Sequence, residues 1–343
     1  MKLDRLRRAA RYAVSGRHGL LDRCQEQFAY GHVDWIRRRA GMPPYYFLAA
    51  RLPHGGWGGW SDPPDGGTVS PFRSHYGREL PVLTWNGRWE KYYNTHGATQ
   101  ALAIGAPWLY MLLLEGDVLG DQMPRALRHL SLASATAVQS RPICDARDYL
   151  YVPTHSWERE VVDLSMLGNR LTSHFDPRET SVLLGWGDFL RIDLRRSLTT
   201  QGYQVLCAGY RGGAVSPSSP IGDRSIFLAN LLSIFLTHNT IVSEMPSTPL
   251  VYAASVGKAT RIPEDLTTMG LDMLEGIVGD VGRHQSWADE MQEVKDRYNW
   301  LDSSHAGVEA TQALALETLG LHDVKSPEWL ATELRWERIP TRD

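Results

Sequence analysis

Residues 240–263 read TIVSEMPSTPLVYAASVGKATRIP. The stretch begins apolar and β-branched and halts at Ser243, which is the composition of a buried strand. Pro249 then suits the first turn of a helix, where the N–H it lacks would have no partner. Ser247 and Thr248 are residue types favoured just before such a turn. The apolar run to Val256 continues the helix, Gly257 closes it, and KATRIP opens another strand. Strand, tight turn, helix and strand in this order form the repeating unit of a parallel sheet.

The same alternation extends toward the N-terminus. DYLYVPTHS (148–156) reads as a strand running into a polar turn, and EREVVDLSMLGNRL (158–171) as a helix. TSVLLGWGD (180–188) is the next strand and turn, and FLRIDLRRSLTTQ (189–201) an amphipathic helix. YQVLCAGYRGG (203–213) is the third strand, followed by a helix around FLANLLSIFL (227–236). Five strands alternating with helices specify a doubly wound parallel sheet. Ahead of it, YYFLAARL (45–52), PVLTW (81–85) and TQALAIG (99–105) read as strands, with helix-like WEKYYNTHG (89–97) between the last two. The expectation is therefore α/β: two Rossmann-like domains facing a central cleft, over residues 1–145 and 146–285, with a helical C-terminal tail over 286–343.

Composition narrows the class. With 343 residues, 43% hydrophobic and 22% charged, the chain has the make-up of a globular protein with more than one core. A formal net charge of -3 provides no general field for a nucleic acid, so no nucleic-acid partner is expected. Three scattered cysteines support neither a disulfide framework nor a zinc site. SIFLANLLSIFL (225–236) is too short to span a bilayer and reads as a buried helix, and no signal peptide is recognised, so a cytoplasmic protein is expected. Residues 1–39 carry ten Lys or Arg against four Asp or Glu, which leaves a weak membrane-surface contact open beside a plain solvated helix.

Open parallel sheets bind ligands beyond the carboxyl ends of their strands, so the site belongs in those turns. A helix opening at Ser247 and Thr248 offers unpaired N–H groups, a positive dipole end and two hydroxyls, together a cradle for a phosphate. The same residues equally fit an ordinary helix cap. His155 and Ser156 end the strand that opens the second domain; Gly185, Gly187 and Asp188 end the next, and Gly209 and Arg211 the third. Arg211, Arg224 and Lys258 are available as phosphate cations. A loop over residues 53–80, rich in Gly, Pro and Trp, is long enough to be functional. Within it, Trp57 and Trp60 are candidate sugar or acceptor contacts.

A strand ending in Ser243-Glu244, then the Ser247-Thr248 pair, an apolar helix with Tyr252, and Gly257-Lys258 before another strand resembles glycosyltransferases of the GT-B type. The likeness is to the bacterial capsule, teichoic-acid-polymerase and sialyltransferase-like groups, and runs over about residues 148–262. It implies that Ser247 and Thr248 hold a phosphate of a nucleotide-activated sugar, with Ser243 and Glu244 in the same donor turn. The turn PTHS at 153–156 is similar to a Pro-x-His-Ser turn of those proteins. RLPHGGWGGWSD (51–62) resembles their His-Gly acceptor-side turn, which implies His54 as general base. The residues after Gly55 depart from the polymerase pattern, leaving Asp62, Asp65 and His75 as alternative bases. IGAPWLYM (104–111) resembles a first-domain strand end, which implies that Gly105 and Pro107 shape the crevice.

No Asp-x-Asp occurs, so the donor site is read as metal-independent, with the sugar nucleotide as co-substrate and no further cofactor. GWGGWS and GKAT fail the dinucleotide and P-loop fingerprints, and no Gly-x-Ser-x-Gly elbow is present. The expected reaction is sugar transfer to a hydroxyl of a glycan, lipid or protein. Alternatives are a nucleotide-sugar epimerase, a polyol-phosphate transferase, a non-catalytic nucleotide-sugar binder, or an assembly protein with no small-molecule site.

Overall fold

A computed structural model describes residues 32–42, 81–96, 100–114, 144–154, 164, 167–209, 226–266 and 293–334. Their elements in chain order are α1 (His32–Arg39), β1 (Val82–Thr84), α2 (Gly87–His96), β2 (Ala101–Ala103) and α3 (Pro107–Leu114). Then come β3 (Arg147–Tyr151), α4 (Leu167–Leu171), β4 (Thr180–Leu183), α5 (Trp186–Phe189), α6 (Ile192–Thr200), β5 (Gln204–Leu206) and α7 (Ile226–Leu236). β6 (His238–Val242), α8 (Thr248–Ser255), β7 (Ala259–Arg261), α9 (Ser303–Ala306), α10 (Val308–Thr318) and α11 (Pro327–Glu333) complete them. The chain divides into two compact units, one of Met1–Val138, Tyr210–Ala229 and Glu317–Asp343, the other of Gln139–Gly209 and Asn230–Leu316.

In the second unit five parallel strands lie in the order β5-β4-β3-β6-β7. The register is fixed by Tyr151 opposite both Val182 and Val242, by Leu183 opposite Leu206, and by Val242 opposite Arg261. The chain steps from β3 outward to β5, then returns to place β6 on the other flank of β3. That reversal is the switch point of a doubly wound sheet. The parallel α/β reading of the sequence is borne out here. One core cluster packs Tyr151, Val182 and Val242 of the sheet against Leu167, Leu171, Leu194 and Leu198 of the helices. Burial of each such leucine contributes about 1.5–3 kcal/mol.

Only the last turn of the helix expected over 158–171 falls among the described residues, as α4, with Leu164 outside it. α7 is apolar apart from Asn230 and Ser233, and Leu228, Leu231, Leu232, Ile234 and Phe235 are all buried. Among the described residues no helix is long and apolar enough to cross a membrane. The exposed flank of edge strand β7 is closed by the turn before α9. There Ser303 Oγ accepts from Thr260 N at 3.1 Å and Asp302 Oδ2 accepts from Ile262 N at 2.8 Å, which removes the free edge that would invite another strand.

In the first unit β1 and β2 pair in parallel, with Leu83 opposite Leu102. Trp89, Tyr92 and Tyr93 of α2 pack on Val82 and Ala101, Trp89 meeting Tyr92 edge-on at 5.6 Å between centroids. α1 packs against α3, which is buried from Pro107 to Leu113. Beyond β2 the chain meets its own C-terminal segment. Ala106 N donates to Leu319 O at 2.8 Å, Asn86 Nδ2 donates to Thr318 O at 2.9 Å, and Lys325 N donates to the Tyr110 hydroxyl at 3.1 Å. Gly105, expected to shape an open crevice, instead faces Gly320 and Val324, so its lack of a side chain serves packing inside this unit. The strand expected over 45–52 lies outside the described residues.

Candidate functional site at the carboxyl edge of the sheet

Two turns converge where β3 and β6 end. Past β3, Val152 N donates to Val242 O at 2.8 Å. Past β6, Ser243 N donates to Arg261 O at 3.1 Å and Ser243 Oγ to Val152 O at 2.8 Å. Backbone and side chain thus carry the ladder one residue beyond each strand.

Glu244 follows and is fully buried. Its Oε2 accepts from the Tyr151 hydroxyl at 2.6 Å, and its Oε1 accepts from the Thr154 amide. Burial raises the carboxyl above its usual range, while the bonds from Tyr151 and Thr154 pull it back. Tyr151, itself buried, is pushed well above the ordinary phenol range by desolvation and then by the Glu244 charge. Ser243 and Glu244 therefore hold the two turns together.

Met245 and Pro246 are buried, and α8 begins after Ser247, with proline in its first turn. Ser247 occupies the capping position in extended conformation, φ -149° and ψ 157°, yet its side chain accepts no helix N–H. Its Oγ is shielded from solvent and has no hydrogen-bond partner. Two other helices are capped in the ordinary way: Ser326 Oγ accepts from Trp329 N at 3.2 Å, and Asp302 accepts from Ser304 N at 3.0 Å. The plain-cap reading of Ser247 is thus not realised, and the first turn of α8 lacks a side-chain cap. Thr248, the first residue of α8, is half-buried beside it.

Other candidates fall elsewhere on the sheet. Asp188 lies at the carboxyl end of β4, 1% exposed, with Arg191 Nη1 3.4 Å from its Oδ1. A side-chain carbon at Gly187 would meet open space, and Trp186 beside it is exposed. Lys258 is placed at the opposite edge, because α8 runs back from the carboxyl end of β6 to the amino end of β7. There Lys258 Nζ donates to Leu236 O at 3.3 Å, and burial lowers its pKa. The structure therefore does not bring Lys258 to Ser247. His54, Trp57, Trp60, Asp62, Asp65, His75, His155, Ser156, Arg211 and Arg224 lie outside the described residues.

Tyr151 and Thr154 belong to the site and were not singled out in the sequence. A tyrosine closing the buried end of β3, after Leu150, was the available signal, since a buried Tyr needs a polar partner. Among the described residues, no group of three or more His, Cys, Asp or Glu is arranged to hold a metal.

No family model matches the chain, and no curated protein matches it. Among solved structures it aligns with the glycosyltransferase SnogD from Streptomyces nogalater at 13% identity, over 74% of this chain and 67% of that chain, with a TM-score of 0.26. At that distance the fold rests on the strand order and register themselves.

Proposed function

We propose that the chain is a glycosyltransferase of the GT-B type whose second unit binds a nucleotide-activated sugar at the switch point between β3 and β6. The observation that carries this is Ser247: a serine in the capping position of α8 that leaves the helix uncapped and its own Oγ without a partner. A helix start with free N–H groups and an unpartnered hydroxyl suits the phosphate oxygens of a leaving diphosphate, and its dipole favours their charge. The strand order supports the location, since doubly wound sheets take their ligands at the reversal. The sugar-transfer chemistry draws its support from the sequence resemblance over residues 148–262.

In this reading Ser247 and Thr248 contact the donor phosphate, and Gly187 and Asp188 line the neighbouring strand end. His155, Ser156 and Arg211 complete the donor side. His54 takes the proton of the acceptor hydroxyl, with Asp62 and His75 as its alternatives, and Trp57 and Trp60 contact the acceptor or the sugar. No metal takes part. The setting is cytoplasmic, and the acceptor is a glycan, lipid or protein hydroxyl.

A thermal-shift panel of UDP, GDP, CDP, CMP and dTDP sugars tests the donor site. A ligand present at about a hundred times its dissociation constant stabilises by about 2.7 kcal/mol. Ser247→Ala combined with Thr248→Ala abolishes the shift of whichever donor binds. A shift that survives both changes removes the assignment.

A further inference from the structure

The turns that leave β3 and β6 share one buried carboxylate. Glu244 Oε2 accepts the Tyr151 hydroxyl at 2.6 Å, and Oε1 accepts the Thr154 amide, 90 positions away in sequence. The adjacent Ser243 repeats the link by donating to Val152 O. Three residues after Glu244 comes the unpartnered Ser247 hydroxyl. A leucine or methionine would fill the volume without the desolvation that a buried carboxylate suffers. What an apolar residue lacks is a pair of fixed acceptors joining two turns that are far apart in sequence.

We propose that Glu244 is a positioning residue: as a carboxylate it clamps the turn after β3 to the turn that opens α8, and anion binding at Ser247 requires that clamp. The proposal rests on the donor-site reading above and adds its regulation by protons. A proton on either oxygen converts that oxygen into a hydroxyl that must itself donate. The groups facing it already donate, namely the Tyr151 hydroxyl on β3, the Thr154 amide and hydroxyl on the following turn, and the amide of Glu244 itself. The Thr154 amide cannot reverse, and the Tyr151 hydroxyl can accept a proton from Oε2 only by turning its own away, so protonation replaces charge-assisted bonds to both turns by weaker neutral ones. Among the described residues, none of the groups acting on Glu244 is a cation.

The consequence separates positioning from mere structure. Burial favours the neutral acid, so protonation stabilises the folded chain while it loosens the site. Stability and anion affinity therefore move in opposite directions with pH.

The test titrates inorganic pyrophosphate, and UDP, GDP, CDP, CMP and dTDP, into the full chain from pH 5 to 8, using wild type, Glu244→Gln, Tyr151→Phe and Ser247→Ala. Protonation of the probe adds the same acid limb to every variant, so the comparison is between profiles. Glu244→Gln binds about tenfold more weakly than wild type at pH 7.5, as expected for loss of a charge-assisted bond, and keeps only the probe's own acid limb. Tyr151→Phe moves the wild-type limb to higher pH, because it removes a donor that favours the charged carboxyl. Wild-type profiles in both variants, with Ser247→Ala silent, overturn the role of Glu244 and leave the donor site standing. Absence of binding by wild type, or undiminished binding by Ser247→Ala, overturns both. Should Glu244→Gln fail to fold, the direction of the Tyr151→Phe shift decides.

Discussion

Gly320 lies against the end of β1 so closely that a side-chain carbon on it would overlap the carbonyl oxygen of Trp85, with the Gly105 Cα only 3.2 Å away. Both glycines have left-handed backbones, φ 76° at Gly320 and 82° at Gly105, which suits residues without a side chain. Gly320→Ala combines a strained φ with a clash against main chain that cannot rotate away, and is expected to destabilise by about 2–4 kcal/mol. Gly87→Ala, in the same unit but with nothing within 4 Å of the added carbon, is the matched control. It is expected to change stability by less than about 1 kcal/mol, since alanine favours the helix it begins. Urea midpoints at unchanged slope measure both.

The Glu244 carboxyl is raised by burial, so it favours folding most when neutral. That contribution is complete below the unfolded value near 4.5 and is lost as pH rises through the folded value. Wild type is therefore expected to lose stability relative to Glu244→Gln between pH 4 and neutrality. A constant difference between the two across that range contradicts a buried, titrating acid.

His238 opens β6 and is titrated in the other sense. Its Nδ1 lies 2.7 Å from Ile234 O, to which it donates, and its Nε2 is 2.8 Å from Ser181 Oγ. Burial lowers its pKa; the Ile234 carbonyl opposes this, and the Lys258 and Arg147 charges add to it. The stabilising contribution is present above the unfolded value of 6.5 and is lost as pH falls through that value toward the folded one. His238→Gln is expected to flatten stability between pH 5 and 7, and to cost about 1–3 kcal/mol at pH 8 through loss of the imidazole's bonds to Ser181 and Ile234, which keep their other partners Gln204 and Thr237.

Asp302 ties the β7 edge to α9. Burial acts to raise its pKa, but the Ser304 hydroxyl, the Ile262 and Ser304 amides and His305 together hold it below the usual carboxylate range. The contribution is present above the unfolded value of 3.8 and is lost as pH falls through the folded value. Asp302→Ala removes a helix cap and a partner for a buried amide, so a loss of about 2 kcal/mol at neutral pH is expected, shrinking in acid. Amide exchange at Ile262 should accelerate with it.

The five-stranded sheet was legible because TSVL, YQVL and TIV are short apolar runs closed by Gly, Ser or a change of period, and each is followed by helical spacing. The start of α8 was legible for the same reason, through Pro249 and the hydroxyl pair. The clamp was not, because Ser243-Glu244 at a strand end reads as a polar turn. Its partners lie 93 and 90 positions away, on another strand and on the turn that follows it. The sequence offers Lys258, in the Gly257-Lys258 pair, as a phosphate cation. A helix joining two parallel strands carries its last residue to the opposite edge, so the distance in space is the length of α8. Gly105 was read as a crevice residue because its contact with Gly320 joins segments that no local pattern connects.

The first compact unit draws on Met1–Val138, Tyr210–Ala229 and Glu317–Asp343, whereas the second is complete by Leu316. During translation the unit begun first is thus finished last. The second has all its residues before Leu319, Gly320 and Lys325 are added, whereas the first needs those three as partners for Ala106, Trp85 and Tyr110. Until then its β1 and β2 ends stand uncovered in the nascent chain, which makes that interval the one in which a chaperone has most to protect.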